Sequence, residues 1–179
     1  NRRIKDFQDA FLPNPWDVEQ ALSQYFVLNL PKNVVSGDFY WIDKQNNQLL
    51  IAVADGTGHG LSGALMHMMG IIFLNQIIKH HKYTSPAEIL GQLREHVISS
   101  LQQKGKTGEA QGGMDMALCM LDLEQRKVQF AGANNPLYLI NNKGLKEIKG
   151  DRMPVGININ YDKPFTNQQI QMQPGDTLY

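Results

Sequence analysis

The chain has 179 residues, 42% of them hydrophobic and 19% charged, which suits one domain with a sizeable core. Lysine plus arginine equal aspartate plus glutamate at 17 each, so neither a nucleic-acid partner nor attraction to an anionic membrane surface is expected. The single cysteine, Cys119, has no partner for an internal disulfide and lies in an apolar run, where a buried small hydrophobe in a reducing, cytoplasmic setting is expected. No signal-peptide pattern opens the chain, and the most apolar stretch, residues 71–74, falls far short of the ~20 residues of a membrane helix.

In chain order, residues 1–12 form a charged amphipathic segment ended by Pro13 and Pro15. The chain starts on Asn1 rather than Met, so residues 1–20 are expected to be a linker or regulatory helix continuing from an upstream sensor. A short helix is expected near 17–24, then β structure over 25–30, 34–42 and 49–54. The polar stretch between the last two contains Asn46-Asn47, and asparagine tolerates the positive φ of a tight hairpin turn. A glycine-rich loop over 56–63 leads into a mostly apolar helix over 64–79. Ser85-Pro86-Ala87-Glu88 is a capping box with proline at the first helical position, and Ile89, Leu93, Val97 and Leu101 form the core-facing stripe behind it. Residues 102–113 are polar and glycine-rich and predict a mobile loop. Short apolar runs at 114–121, 128–133, 137–140 and 145–148, separated by turn residues, predict a β-meander. Further strands are expected at 165–172 and from Thr177. Strands, two adjacent helices and more strands imply an α+β fold with helices packed on antiparallel sheets.

The hairpin carries the first chemical signal. With Asn46 and Asn47 at its centre, the register sets Asp38 opposite Asp55 on one sheet face, with Cβ atoms about 5 Å apart. Like charges so placed are destabilising unless neutralised, and two carboxylates are hard oxygen ligands for a divalent cation. Each acid adjoins a glycine, Gly37 or Gly56, where the backbone can come close to an ion. The loop Asp55-Gly56-Thr57-Gly58-His59-Gly60 opens a helix but lacks the lysine of a phosphate-binding P-loop and the glycine spacing of a dinucleotide site. His59 reads as a loop-packing histidine, and His67, His80, His81 and His96 show no metal-ligand spacing. Asp115 is a spare acid at a strand start, read as a turn former ahead of a place near the site, and Asp151-Arg152 reads as a surface pair.

Val35-Ser36-Gly37-Asp38-Phe39-Tyr40-Trp41 followed by Ala54-Asp55-Gly56-Thr57-Gly58-His59-Gly60 resembles the metal-dependent protein phosphatase (PPM) family, specifically its bacterial branch, the stage II sporulation protein E-like serine phosphatase domains. Asn134-Asn135-Pro136-Leu137 and Pro174-Gly175-Asp176-Thr177-Leu178-Tyr179 resemble that branch in the same order. The resemblance covers nearly the whole chain from about Tyr25 and implies a phosphatase domain over 21–179 of four-layer α-β-β-α architecture, an antiparallel β-sandwich flanked by helices, incomplete at its C-terminus. It implies two Mn²⁺ or Mg²⁺ ions, with Asp55 bridging both, Asp38 on one, and the Gly56 carbonyl as a further ligand. Water between the ions would hydrolyse phosphoserine or phosphothreonine in a regulatory protein such as an anti-sigma-factor antagonist. Thr57 stands where eukaryotic members carry a histidine. The family continues into Ser-Asp-Gly and a further acid beyond the last residue here, so this chain alone is expected to bind metal poorly, to turn over little, and to leave a sheet edge able to pair with a second copy. A degenerate phosphatase fold that binds a phosphoprotein without turnover is the alternative, and a nucleotide-binding module a distant third.

Overall fold

The computed structural model describes every residue except 1, 23, 32, 46, 81–84 and 106–111. Among the described residues the elements run α1 (Arg2–Phe11), α2 (Pro15–Ala21), β1 (Phe39–Gln45), β2 (Gln48–Gly56), α3 (Leu61–His80), α4 (Pro86–Ser100), β3 (Gly113–Asp122), β4 (Lys127–Ala133), β5 (Leu137–Asn141), β6 (Gly144–Ile148), β7 (Val155–Gly156), β8 (Gln168–Gln171) and β9 (Thr177–Leu178).

Side-chain alternation explains how they stack. Met114, Met116, Leu118 and Met120 of β3 join Phe39 and Trp41 of β1, Leu50, Ala52 and Ala54 of β2, and the buried faces of α3 and α4 in one apolar cluster. The intervening β3 residues Ala117, Cys119 and Leu121 point the other way. They meet Val128, Phe130, Leu137, Leu139 and Ile148 in a second cluster between two sheets. The larger sheet has the order β1-β2-β3-β4-β8, with β7 beside β3, and the smaller has β6-β5-β9; every strand pairing is antiparallel. The result is the expected α+β antiparallel sandwich with helices on the outer face of its larger sheet. Trp41 Nε1 donates to Asn75 Oδ1 at 2.9 Å and ties β1 to α3.

Several elements fall where the sequence puts them. Gln45 pairs with Gln48, so the β1–β2 turn has two central residues; Asn46, one of them, lies outside the described residues. Ser85 caps α4, its side chain accepting from Glu88 N at 3.4 Å, and Ile89, Leu93 and Val97 are fully buried. Ser85→Ala should cost about 1 kcal/mol and lower Tm by about 2–4 °C, measurable by thermal unfolding. Cys119 is buried, and burial pushes its thiol up to about 12.

Other expectations need correction. Residues 25–30 form no strand; Phe26, Leu28 and Leu30 are exposed, and Phe26 rests on Tyr179 with ring centroids 5.7 Å apart. High β propensity without a partner strand does not make a strand. β1 begins at Phe39 rather than Val34, because 34–38 are held by side chains and by Gly56 instead of a continuous ladder. The expected meander is divided: the chain changes sheets at Asn134–Pro136, between β4 and β5. The two-residue strand β7 has no readable pattern. In the loop after α4, residues 106–111 lie outside the description, but Gln103 is buried and bonds to Gly112 O and Ile157 N. Residues Leu61–Lys79 in α3 do reach membrane-span length and composition, with mean hydropathy 1.5. Met66, Ile71, Leu74, Ile77 and Ile78 nevertheless pack in the core, so α3 is a central helix of this fold.

Candidate metal centre

The β1–β2 ladder runs on past the end of β1. Phe39 pairs with Ala54, and Gly56 N donates to Gly37 O at 3.3 Å. Asp38 and Asp55 therefore stand opposite one another, alternating with Phe39 and Ala54 and so facing away from α3 and α4. Both residues are exposed, yet their carboxyls are close enough to hydrogen bond. The Asp55 carboxyl is pushed above its ordinary range, first by partial desolvation, then by the charge of Asp38 and the bond to it, and last by the charge of Asp115.

Asp38 is held through its backbone. Its N–H donates to Ser36 Oγ at 3.0 Å, and its carbonyl accepts from His67 Nδ1 at 3.0 Å. That contact needs a proton on Nδ1. Burial lowers the His67 pKa, which favours the neutral ring, and leaves Nε2 without a partner. Gly56 is buried, and its carbonyl oxygen lies against the Cα of Gly37, where any Cβ would collide with it.

Asp115 corrects the sequence reading. It is a turn former in neither place nor role: it lies within β3, directly opposite Asp55, and accepts from Asn134 Nδ2 at 2.8 Å. Asn134 takes positive φ, 58°, where β4 leaves the larger sheet. Asp151 is no surface pair with Arg152. Its carboxylate accepts from Thr166 N and Oγ1 at 2.7 and 2.9 Å, and its backbone pairs with Gly132 and Asn134. His59 is exposed and offers its carbonyl to Ser62 Oγ. Among the described residues no group of three or more His, Cys, Asp or Glu side chains is disposed to hold a metal ion. What the described residues offer a cation is therefore one converged pair, Asp38 and Asp55, and the adjacent Gly56 carbonyl. That set fits a hard divalent cation, since all three are oxygen donors and the two converging carboxylates repel one another.

The sequence profile of the stage II sporulation protein E family matches residues 45–179. The PP2C domain of SiaA from Pseudomonas aeruginosa has the same fold at TM-score 0.85 and 31% identity, over 99% of this chain and 68% of that one. The PP2C phosphatase domain of the cell-fate determinant SpoIIE from Bacillus subtilis, solved with a fragment of its regulatory domain, matches at TM-score 0.62 and 18% identity, over 79% of this chain and 39% of that one. RsbX, solved in complex with magnesium, matches at TM-score 0.58 and 14% identity, over 84% and 68% of the two chains. No curated protein sequence matches significantly. The sandwich and its solved relatives define a protein phosphatase domain of the PP2C type. Within that class, this chain belongs to the stage II sporulation protein E family, as the motifs around Asp38 and Asp55 imply.

Proposed function

We propose that the domain hydrolyses phosphoserine or phosphothreonine in a regulatory protein, with two Mn²⁺ or Mg²⁺ ions held in part by Asp38, Asp55 and the Gly56 carbonyl. The observation that carries this is the convergence of the Asp38 and Asp55 carboxyls beside the Gly56 backbone, which Gly37 approaches too closely for any side chain. Bound there, the ions would supply a water of lowered pKa and positive charge for the phosphoryl oxygens. Asp55, the more central of the two acids, suits the bridging position because Asp38 and Asp115 flank it. Asp38 suits a single ion. Its backbone N–H and carbonyl are both taken, which leaves its exposed carboxylate as the part that faces outward. Membership of the stage II sporulation protein E family supports a phosphorylated anti-sigma-factor antagonist as substrate class, with the reaction under the control of an upstream sensor.

The test is release of phosphate from a phosphoserine protein of that class by the full-length protein, with Mn²⁺ or Mg²⁺ and with EDTA. Turnover with metal and none with EDTA is expected. Tight retention of the phosphoprotein without turnover under any metal would instead identify a binding module.

A further inference from the structure

Gln8 of α1 is a buried polar side chain, 4% exposed, on a helix that otherwise carries an exposed charged face. Its amide is spent on one distant residue. Nε2 donates to Ser36 O at 2.7 Å, and Oε1 accepts from Ser36 N at 3.2 Å. A primary amide that meets both backbone groups of a single residue mimics a neighbouring strand, and it does so where β1 has not yet begun. Ser36 in turn holds Asp38 N through its hydroxyl. Gly37, between them, takes the N–H of Gly56 on its carbonyl. From the other side α3 sends His67 to the Asp38 carbonyl. The segment 36–38 is therefore gripped by two helices, and among the described residues Gln8 is the α1 side chain that hydrogen bonds to it.

We infer that Gln8 is a positioning residue for Asp38, and that α1 thereby sets how well the Asp38–Asp55 pair accepts a cation. The inference rests on the metal reading of that pair. Buried groups that orient metal ligands commonly change affinity by about 10–100-fold when removed. Gln8 acts through the backbone of the ligand's neighbour, so its effect falls on metal uptake, not on the reacting phosphoryl group. Glutamate at this position would keep the shape and the acceptor but set a carboxylate oxygen against Ser36 O. Methionine would keep the length and lose both bonds.

The experiment uses the full-length protein as wild type, Gln8→Met, Gln8→Glu and Leu93→Ala. Leu93 is a fully buried α4 residue, and its truncation controls for general loss of stability. Mn²⁺ affinity is read by isothermal titration, and amide exchange of the segment around Ser36 and Asp38 by mass spectrometry. Both Gln8 variants should weaken Mn²⁺ binding about tenfold or more and speed exchange at 36–38. Their kcat at saturating Mn²⁺ should stay near wild type, and Leu93→Ala should lower Tm with Mn²⁺ affinity intact. Wild-type affinity in the Gln8 variants despite a lowered Tm would overturn the positioning role and leave Gln8 a fold residue. An equal loss of affinity in Leu93→Ala would overturn it as well. A wild-type protein that takes up no Mn²⁺ would instead overturn the metal reading on which it rests.

Discussion

Asp55→Asn should abolish phosphatase turnover in the full-length protein, by at least about a thousandfold, because a bridging cation contributes several kcal/mol to the transition state. Asparagine keeps the shape of the side chain, so the fold should survive, as judged by circular dichroism. Mn²⁺ uptake should fall with activity. The metal-free protein should behave in the opposite sense. The folded-state pKa of Asp55 is raised by desolvation and by Asp38, so its contribution to stability is present below the unfolded pKa and lost as pH rises through the folded value. At neutral pH in EDTA the ionised Asp55 opposes Asp38, and Asp55→Asn should melt higher than wild type. Near pH 3 the wild-type acid carries its proton and the difference should shrink. Tm measured in EDTA at both pH values checks this. A variant that melts lower than wild type at neutral pH would show that the acids are not strained against each other, and retained turnover would remove Asp55 from the chemistry.

The acids were legible in the sequence for a local reason. Their register depends on a two-residue turn, and nothing but the turn needs to be known to set Asp38 against Asp55. The same holds for α4, whose cap, first-turn proline and four-residue stripe are all local. Legibility ends where partners come from far along the chain. Asp115 reaches Asp55 only after two helices and a long loop have intervened, so no spacing rule gives that register. The switch of β5 and β6 into a second sheet depends on Asn134 taking positive φ, which an Asn-Asn-Pro stretch permits without requiring. Residues 25–30 have the composition of a strand, yet composition does not say whether a partner edge lies alongside. His67 and Gln8 read as an ordinary helical histidine and glutamine. Their contact with the Asp38 segment is a consequence of how α1 and α3 pack. The family motifs therefore point to the two acids, while the side chains that hold the Asp38 segment emerge only from the tertiary structure.

Gly37→Ala should damage both fold and site although it removes no charge and no hydrogen-bonding side chain. A Cβ built on Gly37 would run into the Gly56 carbonyl oxygen and lie 3.1 Å from its carbon. Both obstacles are backbone, so no side chain can turn aside, and the ends of β1 and β2 would have to separate. Gly63 presses on the same point from the start of α3, since its own Cβ would lie 3.0 Å from Gly37 N. Overpacking of this kind costs about 1–3 kcal/mol, visible as a lower Tm. The larger effect falls on function, because separation moves the Gly56 carbonyl and Asp38 together, and a displacement of about 1 Å can cost about a hundredfold in rate. Gly91 supplies the contrast. It lies in α4, and a Cβ there meets nothing within 4 Å. Gly91→Ala should therefore stabilise the protein by about 0.5–1 kcal/mol through helix propensity and leave Mn²⁺ affinity and turnover unchanged. If Gly37→Ala binds Mn²⁺ and turns over as Gly91→Ala does, the bare Cα beside the Gly56 carbonyl has no part in the site.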